Sequence, residues 1–198
     1  MSAKRSILRP WSGRLLSGFF LSGVALTTTL SVIPVQPSIA QTNQGVTIFG
    51  GVGSEYRLGY TLRNNQPRST RAEYYLRVQG NRIDSAISHL RISYPEAFTN
   101  RRGSFNTDEI KVYRGRGSGD REIPVEDVVW TPESGQIDIY MTEDIPADTS
   151  FVVVMKAVRN PDRYGMHRFN LQGEGRGDVL PRYLGTWELM VAEDMGSR

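Results

Sequence analysis

Short segments in which apolar and polar residues alternate recur through most of this chain, and a period of two is the mark of strands with one face buried. Met166-His167-Arg168-Phe169-Asn170-Leu171 and Tyr183-Leu184-Gly185-Thr186-Trp187-Glu188-Leu189-Met190-Val191 alternate in this way. Val46-Thr47-Ile48-Phe49, Ala72 to Val78, Leu90 to Tyr94, Ile110 to Tyr113, Val128 to Trp130 and Ile137 to Met141 are short, β-branched or aromatic, and bounded by Gly, Pro, Asn or Asp. Phe151-Val152-Val153-Val154-Met155 is apolar throughout, but its three consecutive valines favour a buried strand over a helix. Turn signals at Thr131 to Gly135 and Asn160 to Asp162 separate the segments at sandwich-like spacing. The expectation is an all-β, antiparallel β-sandwich of immunoglobulin-like type with roughly seven to nine strands. Helix is confined to short candidates after Ile83 to Ala86 or near Glu96-Ala97-Phe98.

The first forty residues read differently. Lys4, Arg5, Arg9 and Arg14 stand without any acid, and the run from Leu15 to Leu26 is apolar. Pro34 and Pro37 follow, and Ser38-Ile39-Ala40 places small residues where a signal peptidase requires them. The reading is a cleaved secretory signal over residues 1–40 and a single β-sandwich domain over residues 41–198. A retained anchor would need roughly 20 apolar residues, and the run here is shorter. No stable membrane anchor is expected after cleavage, and a periplasmic or extracellular location follows.

The whole chain has 24 basic and 21 acidic residues. Four of the bases and none of the acids lie in residues 1–40, which leaves 20 bases against 21 acids in the remainder. The basic balance therefore belongs to the leader, and no affinity for nucleic acid follows from it. Of the remaining bases only Lys111 and Lys156 are lysine. Such an arginine excess suits bidentate capture of carboxylate, phosphate or sulfate. Base composition with intramolecular pairing to the acids is the preferred reading. The chain has no cysteine, which removes disulfides, thiol nucleophiles and Cys-type metal sites.

Candidate chemistry is sparse. His89 and His167 could share a metal only if their strands were neighbours, and no metal site is expected. The glycine-rich stretches Gly115 to Asp120 and Gly173 to Asp178 lack the strand-loop-helix setting and the Gly-Lys-Ser/Thr of a phosphate loop, so they read as hairpin loops. Acids gather at Glu122, Glu126, Asp127 and at Glu143, Asp144, Asp148 without an ordered calcium-ligand pattern. No Gly-x-Ser-x-Gly elbow or cofactor motif is present, and no cofactor is expected. Adjacent Tyr74 and Tyr75 must point to opposite sheet faces, so one of them should be exposed. The binding candidates are Tyr74, Tyr75, Arg168, Tyr183 and Trp187.

Ala157-Val158-Arg159-Asn160-Pro161, Gly165-Met166-His167-Arg168-Phe169, Gly177-Asp178 and Tyr183-Leu184-Gly185-Thr186-Trp187 together resemble the closing signature of a secreted cyanobacterial family known as domain of unknown function 2808. Arg71-Ala72-Glu73-Tyr74-Tyr75-Leu76 is similar to an earlier strand of that family. The segment Val78 to Arg82 departs from it, where a short Pro-containing turn is usual. The resemblance implies an exported all-β protein and carries no activity, ligand or catalytic residue.

Two functional readings remain. The preferred one is a non-catalytic module of the periplasm or cell envelope that binds a protein or glycan through a strand face or loop tips. The alternatives are a hydrolase using carboxylates between Asp120 and Asp148, with His167 assisting, or a calcium-binding envelope protein. Convergence of two acids in a deep cleft would favour the hydrolase, and a flat aromatic patch the binding module.

Overall fold

The strand pairing was obtained from a computed structural model, which describes residues 52–192 apart from Ser118 and Asp120. The leader and the strand expected at Val46 to Phe49 lie outside the described residues.

Among the described residues ten strands run in chain order as β1 (Tyr60–Arg63), β2 (Ala72–Val78), β3 (Ile87–Ser93), β4 (Ile110–Arg114), β5 (Glu122–Ile123), β6 (Val125–Thr131), β7 (Gln136–Ile145), β8 (Phe151–Val158), β9 (Gly165–Glu174) and β10 (Arg182–Val191). They form two five-stranded sheets, in the orders β1-β2-β8-β4-β5 and β10-β9-β3-β7-β6. Every pairing between strands is antiparallel. The sandwich expected from the alternation is therefore present, with slightly more strands than expected. Two short ones, β1 and β5, carry too few residues to display a period. One helical turn, α1 (Glu96–Thr99), occupies the second helical candidate; the first, after Ile83 to Ala86, is not helical but is strand β3, whose buried Ile87, Leu90 and Ile92 face the core.

Alternation decides which side chains meet between the sheets. From the first sheet come Tyr74, Leu76, Val112, Phe151, Val153 and Met155; from the second come Leu90, Ile92, Ile137, Ile139, Phe169, Leu171, Trp187 and Leu189, all buried. One end of the core is aromatic: Tyr94, Phe98, Phe105 and Phe169 pack edge-on or tilted, with Phe98 and Phe105 stacked at 5.0 Å. Both indole N–H groups near this interior find partners. Tyr94 Oη accepts from Trp130 Nε1 at 2.6 Å, and Trp187 Nε1 donates to the Arg77 carbonyl at 3.1 Å.

Two glycines are required by close approach. Gly185 sits at φ +148°, where β10 slips register against β9, and a Cβ there would lie 2.6 Å from the Tyr56 carbonyl oxygen. Gly135 turns the β6–β7 hairpin at φ +62°, and its carbonyl accepts from Tyr94 N at 2.8 Å. The Gly185 slip lets residues on either side of β1 lie along the outer edge of β10. Arg57 forms a parallel bridge with Thr186, Leu58 N donates to the Thr186 carbonyl at 2.9 Å, and Asn65 Nδ2 donates to the Met190 carbonyl at 3.2 Å.

Candidate functional site

The outward side of the second sheet is built from the polar members of the same alternation. In β9 the residues Arg168, Asn170, Gln172 and Glu174 point away from the core, because Phe169, Leu171 and Gly173 are the buried ones. Strand register lines them up in rows. One row reads Gln136, Ser93, Asn170, Thr186; the next Asp138, Arg91, Gln172, Tyr183; the third Tyr140, His89, Glu174.

Asp138 is the anchor of this face and is itself buried. Its carboxylate accepts from Gln136 Nε2 at 2.6 Å, from Arg91 Nε at 2.8 Å and from His89 Nε2 at 2.8 Å. Burial works to raise its pKa, but the hydrogen bonds from Gln136, Arg91 and His89 outweigh it and hold the group below its ordinary 3.8. His89 is also 3.4 Å from Glu174 Oε2 through Nδ1, and its ring stacks on Tyr140 at 4.4 Å with an interplanar angle of 5°. Both ring nitrogens thus face carboxylates, so the imidazole is held as a fixed part of the surface and not poised beside a hydroxyl nucleophile.

Half-exposed tyrosines border the network. Tyr140 is one; Tyr183 is the other, paired with Tyr56 at 5.4 Å between ring centroids. The Tyr183 hydroxyl lies 2.5 Å from Thr186 Oγ1, which donates to Asn170 Oδ1 at 2.5 Å. Amides, a carboxylate, a guanidinium and phenol rings are therefore preordered on one sheet face, a combination that hydrogen-bonds hydroxyls and stacks on apolar ring faces.

The five binding candidates do not come together. Tyr183 belongs to this face, and Arg168 lies beside it, bonded through Nε to Glu188 Oε1 at 3.2 Å. Glu188 also takes Arg57 Nε at 3.1 Å. Trp187 and Tyr74 are wholly buried and offer no ring to a ligand. The expectation that one of Tyr74 and Tyr75 is exposed is corrected. Tyr75 does point outward from the first sheet, but it packs with Val152, Val154 and Tyr113, lies beneath the Arg63 guanidinium at 5.0 Å, and is only 8% exposed. Gln136, Asp138 and Arg91, which matter most here together with Tyr140, gave no sequence signal beyond alternation, because their proximity is set by strand order.

The other candidates separate as follows. β3 and β9 are neighbours, yet His89 pairs with Glu174, seven positions from His167 along β9. At ~3.3 Å per residue that is roughly 23 Å, and an odd offset puts the two imidazoles on opposite faces. His167 is buried edge-on to Phe98, with Nε2 unpartnered; burial, and secondarily the Arg101 charge, push its pKa below 6.5. Glu122, Glu126 and Asp127 line a shallow groove of about 330 Å3 with Asp108, where Lys111 lies 3.3 Å from Glu122 Oε1. Asp144 is bonded to Arg176 Nε at 2.9 Å, and Asp178 accepts from Gly175 N at 2.8 Å, which orders the second glycine-rich loop. Among the described residues no three His, Asp or Glu side chains converge as metal ligands, and no helix is long and apolar enough to cross a membrane.

Several solved structures show a weak similarity to this chain. The collagen-binding domain of a Staphylococcus aureus adhesin is 9% identical with a TM-score of 0.40, and the match covers 70% of this chain and 98% of that one. The bacterial hydrophobin BslA is 9% identical at TM-score 0.43, covering 72% and 97%. An uncharacterized Nocardia farcinica protein with an immunoglobulin-like fold is 10% identical at 0.37, covering 69% and 99%. Against the structure titled for manganese lipoxygenase of Gaeumannomyces graminis and zonadhesin of Komagataella pastoris, 14% identical at 0.42, 70% of this chain is covered but only 48% of the longer one. At such scores these likenesses say nothing about function. No curated protein matches the sequence. The family described as protein of unknown function, DUF2808, matches residues 46–191, and the chain belongs to that family.

Proposed function

We propose that the protein is exported by a signal in residues 1–40 and serves in the periplasm or cell envelope as a non-catalytic binding module for a glycan, held on the outer face of the second sheet. One observation carries the reading: the cross-strand rows around Asp138, bonded to Gln136, Arg91 and His89, with Tyr140 stacked on His89 and Tyr183 at the margin. A fixed lattice of planar donors and acceptors beside phenol rings meets a sugar with little loss of side-chain freedom. Both nitrogens of His89 face carboxylates, which supports binding over acid-base turnover.

The test is titration of the purified protein with neutral oligosaccharides from the native envelope, followed by tyrosine fluorescence and calorimetry. Tyr140→Ala and Tyr183→Ala should each weaken binding by about tenfold or more while thermal stability is kept, a loss typical of an aromatic contact at the centre of an interface. Binding that both variants leave intact would move the site elsewhere. Export is tested by mass spectrometry of envelope fractions, where the N-terminus should lie at or near Gln41; an intact Met1 or Ser2 form there would overturn it.

A further inference from the structure

Three loops meet at one end of the sandwich and enclose a small cavity of about 100 Å3 lined by Arg68, Arg102, Arg159, Asn160 and Asp162. Backbone hydrogen bonds hold the loops together. Arg68 N donates to the Pro161 carbonyl at 2.9 Å, Asn160 N to the Ser69 carbonyl at 2.8 Å, and Asp162 N to the Arg101 carbonyl at 2.9 Å. Arg159 and Ser104 exchange both of their backbone bonds, at 2.9 and 3.0 Å. At the centre Asn160, 1% exposed, donates to the Gln66 carbonyl at 2.9 Å and accepts from the Tyr74 hydroxyl at 2.5 Å.

The cavity lining brings three guanidinium groups together with one carboxylate, that of Asp162. Six arginines elsewhere in the domain, Arg57, Arg63, Arg91, Arg168, Arg176 and Arg182, each lie against a carboxylate. Among the described residues no carboxylate is within ion-pairing distance of Arg68, Arg102 or Arg159, and none of the three side chains donates to a protein acceptor. Two of them, Arg68 at φ +63° and Arg102 at φ +68°, are held in the left-handed region that large residues avoid. Asp162 lines the same cavity, and its Oδ1 is buried without any donor.

These features define a ligand by what they lack. Three guanidinium forks open to solvent on one small cavity are suited to anionic oxygens, and a buried carboxylate oxygen beside them is suited to a hydroxyl donor. The volume is well below the ~300 Å3 at the lower end of pockets for whole drug-sized ligands, so it admits a head group and not a chain. We propose that this cavity is a recognition site for an acidic sugar residue, a carboxylate or sulfate taken by Arg68, Arg102 and Arg159 and an adjacent hydroxyl given to Asp162. The site is remote from the sheet face discussed above and stands or falls without it. Its chemistry is shared by free sugar acids and by charged polysaccharides.

The purified protein is titrated with glucuronate, glucose, inorganic sulfate and polyglucuronate at one ionic strength set with chloride. Saturable glucuronate binding is expected, with glucose inert. Arg102→Ala and Arg159→Ala should each raise the dissociation constant about tenfold or more, and Arg159→Lys should recover only part of the loss, because the fork and not the charge alone is needed. Asp162→Asn should weaken glucuronate and leave sulfate unharmed. Arg121→Gln removes an equal charge on a distant loop and should change nothing. Retained denaturant midpoints for the arginine variants separate loss of contact from loss of fold. Polyglucuronate binding with the same variant pattern identifies a polysaccharide source, and monomer binding alone a free sugar acid. Glucuronate no tighter than glucose, or losses matched by Arg121→Gln, would overturn the proposal, whereas the oligosaccharide titrations of Tyr140 and Tyr183 variants would be untouched.

Discussion

Tyr74, at the centre of β2, donates its hydroxyl proton across 2.5 Å to Asn160 Oδ1, so a core strand is bonded directly to the loop between β8 and β9. Burial raises the Tyr74 pKa well above the ordinary phenol value, and the hydroxyl remains a donor throughout the physiological range. Tyr74→Phe strands the Asn160 oxygen and should cost about 1–3 kcal/mol. Asn160→Ala should cost more, since it also frees the Gln66 carbonyl. Chemical denaturation checks both: a lowered midpoint at unchanged slope is expected, and a double variant should show coupling between the two sites.

Trp187 fills the core from β10 and bonds the Arg77 carbonyl of the opposite sheet. Trp187→Phe should be tolerated at a cost of about 1–3 kcal/mol, and Trp187→Ala should lose about 3–5 kcal/mol. Neither change should alter affinity of the folded fraction for any ligand of the outer face. Calorimetry on the Phe variant, below its unfolding temperature, is the check.

The two sheets were legible in the sequence wherever an element was long enough to show its period, as β9 and β10 were. β1 and β5 were not, because four and two residues cannot establish alternation. The binding face was legible only in part. Alternation marks Arg168 and Tyr183 as outward, but it cannot say that β3 lies between β9 and β7, which is what brings Arg91, Asp138 and Gln172 into one row. Tyr75 shows the converse. Parity sends it outward correctly, yet Tyr113 and Arg63 from neighbouring strands cover it, and cover is a tertiary property.

His167 has its pKa depressed by burial and by Arg101, so the folded state prefers the neutral ring. The unfolded chain therefore binds the proton more readily below its ordinary value of 6.5. Stability from this group is complete above that pH and falls on acidification between 6.5 and the lower folded value. His167→Phe, apolar and set against Phe98, should flatten this part of the stability curve. Unfolding midpoints measured from pH 8 down to about pH 5 give the comparison.

Asp138 titrates in the same sense at lower pH. Its folded value lies below 3.8, so its contribution is present above 3.8 and is lost as pH falls through the folded value. Asp138→Asn should cost about 1–3 kcal/mol at neutral pH, because Arg91 and His89 lose a charged acceptor, and should make the acid limb shallower. Thermal denaturation of both proteins between pH 2 and 7 measures it.

The bridge of Arg57 and Leu58 to Thr186, with Asn65 at Met190, has a consequence for the company this molecule keeps. β10 is a ten-residue strand at the edge of its sheet, and a bare edge of that length templates the addition of a strand from another molecule. The segment ahead of β1 occupies that edge and breaks its run of open carbonyls and amides. A chain begun after Leu58 would leave much of it open, with Asn65 still at Met190, and should be more prone to strand-by-strand aggregation.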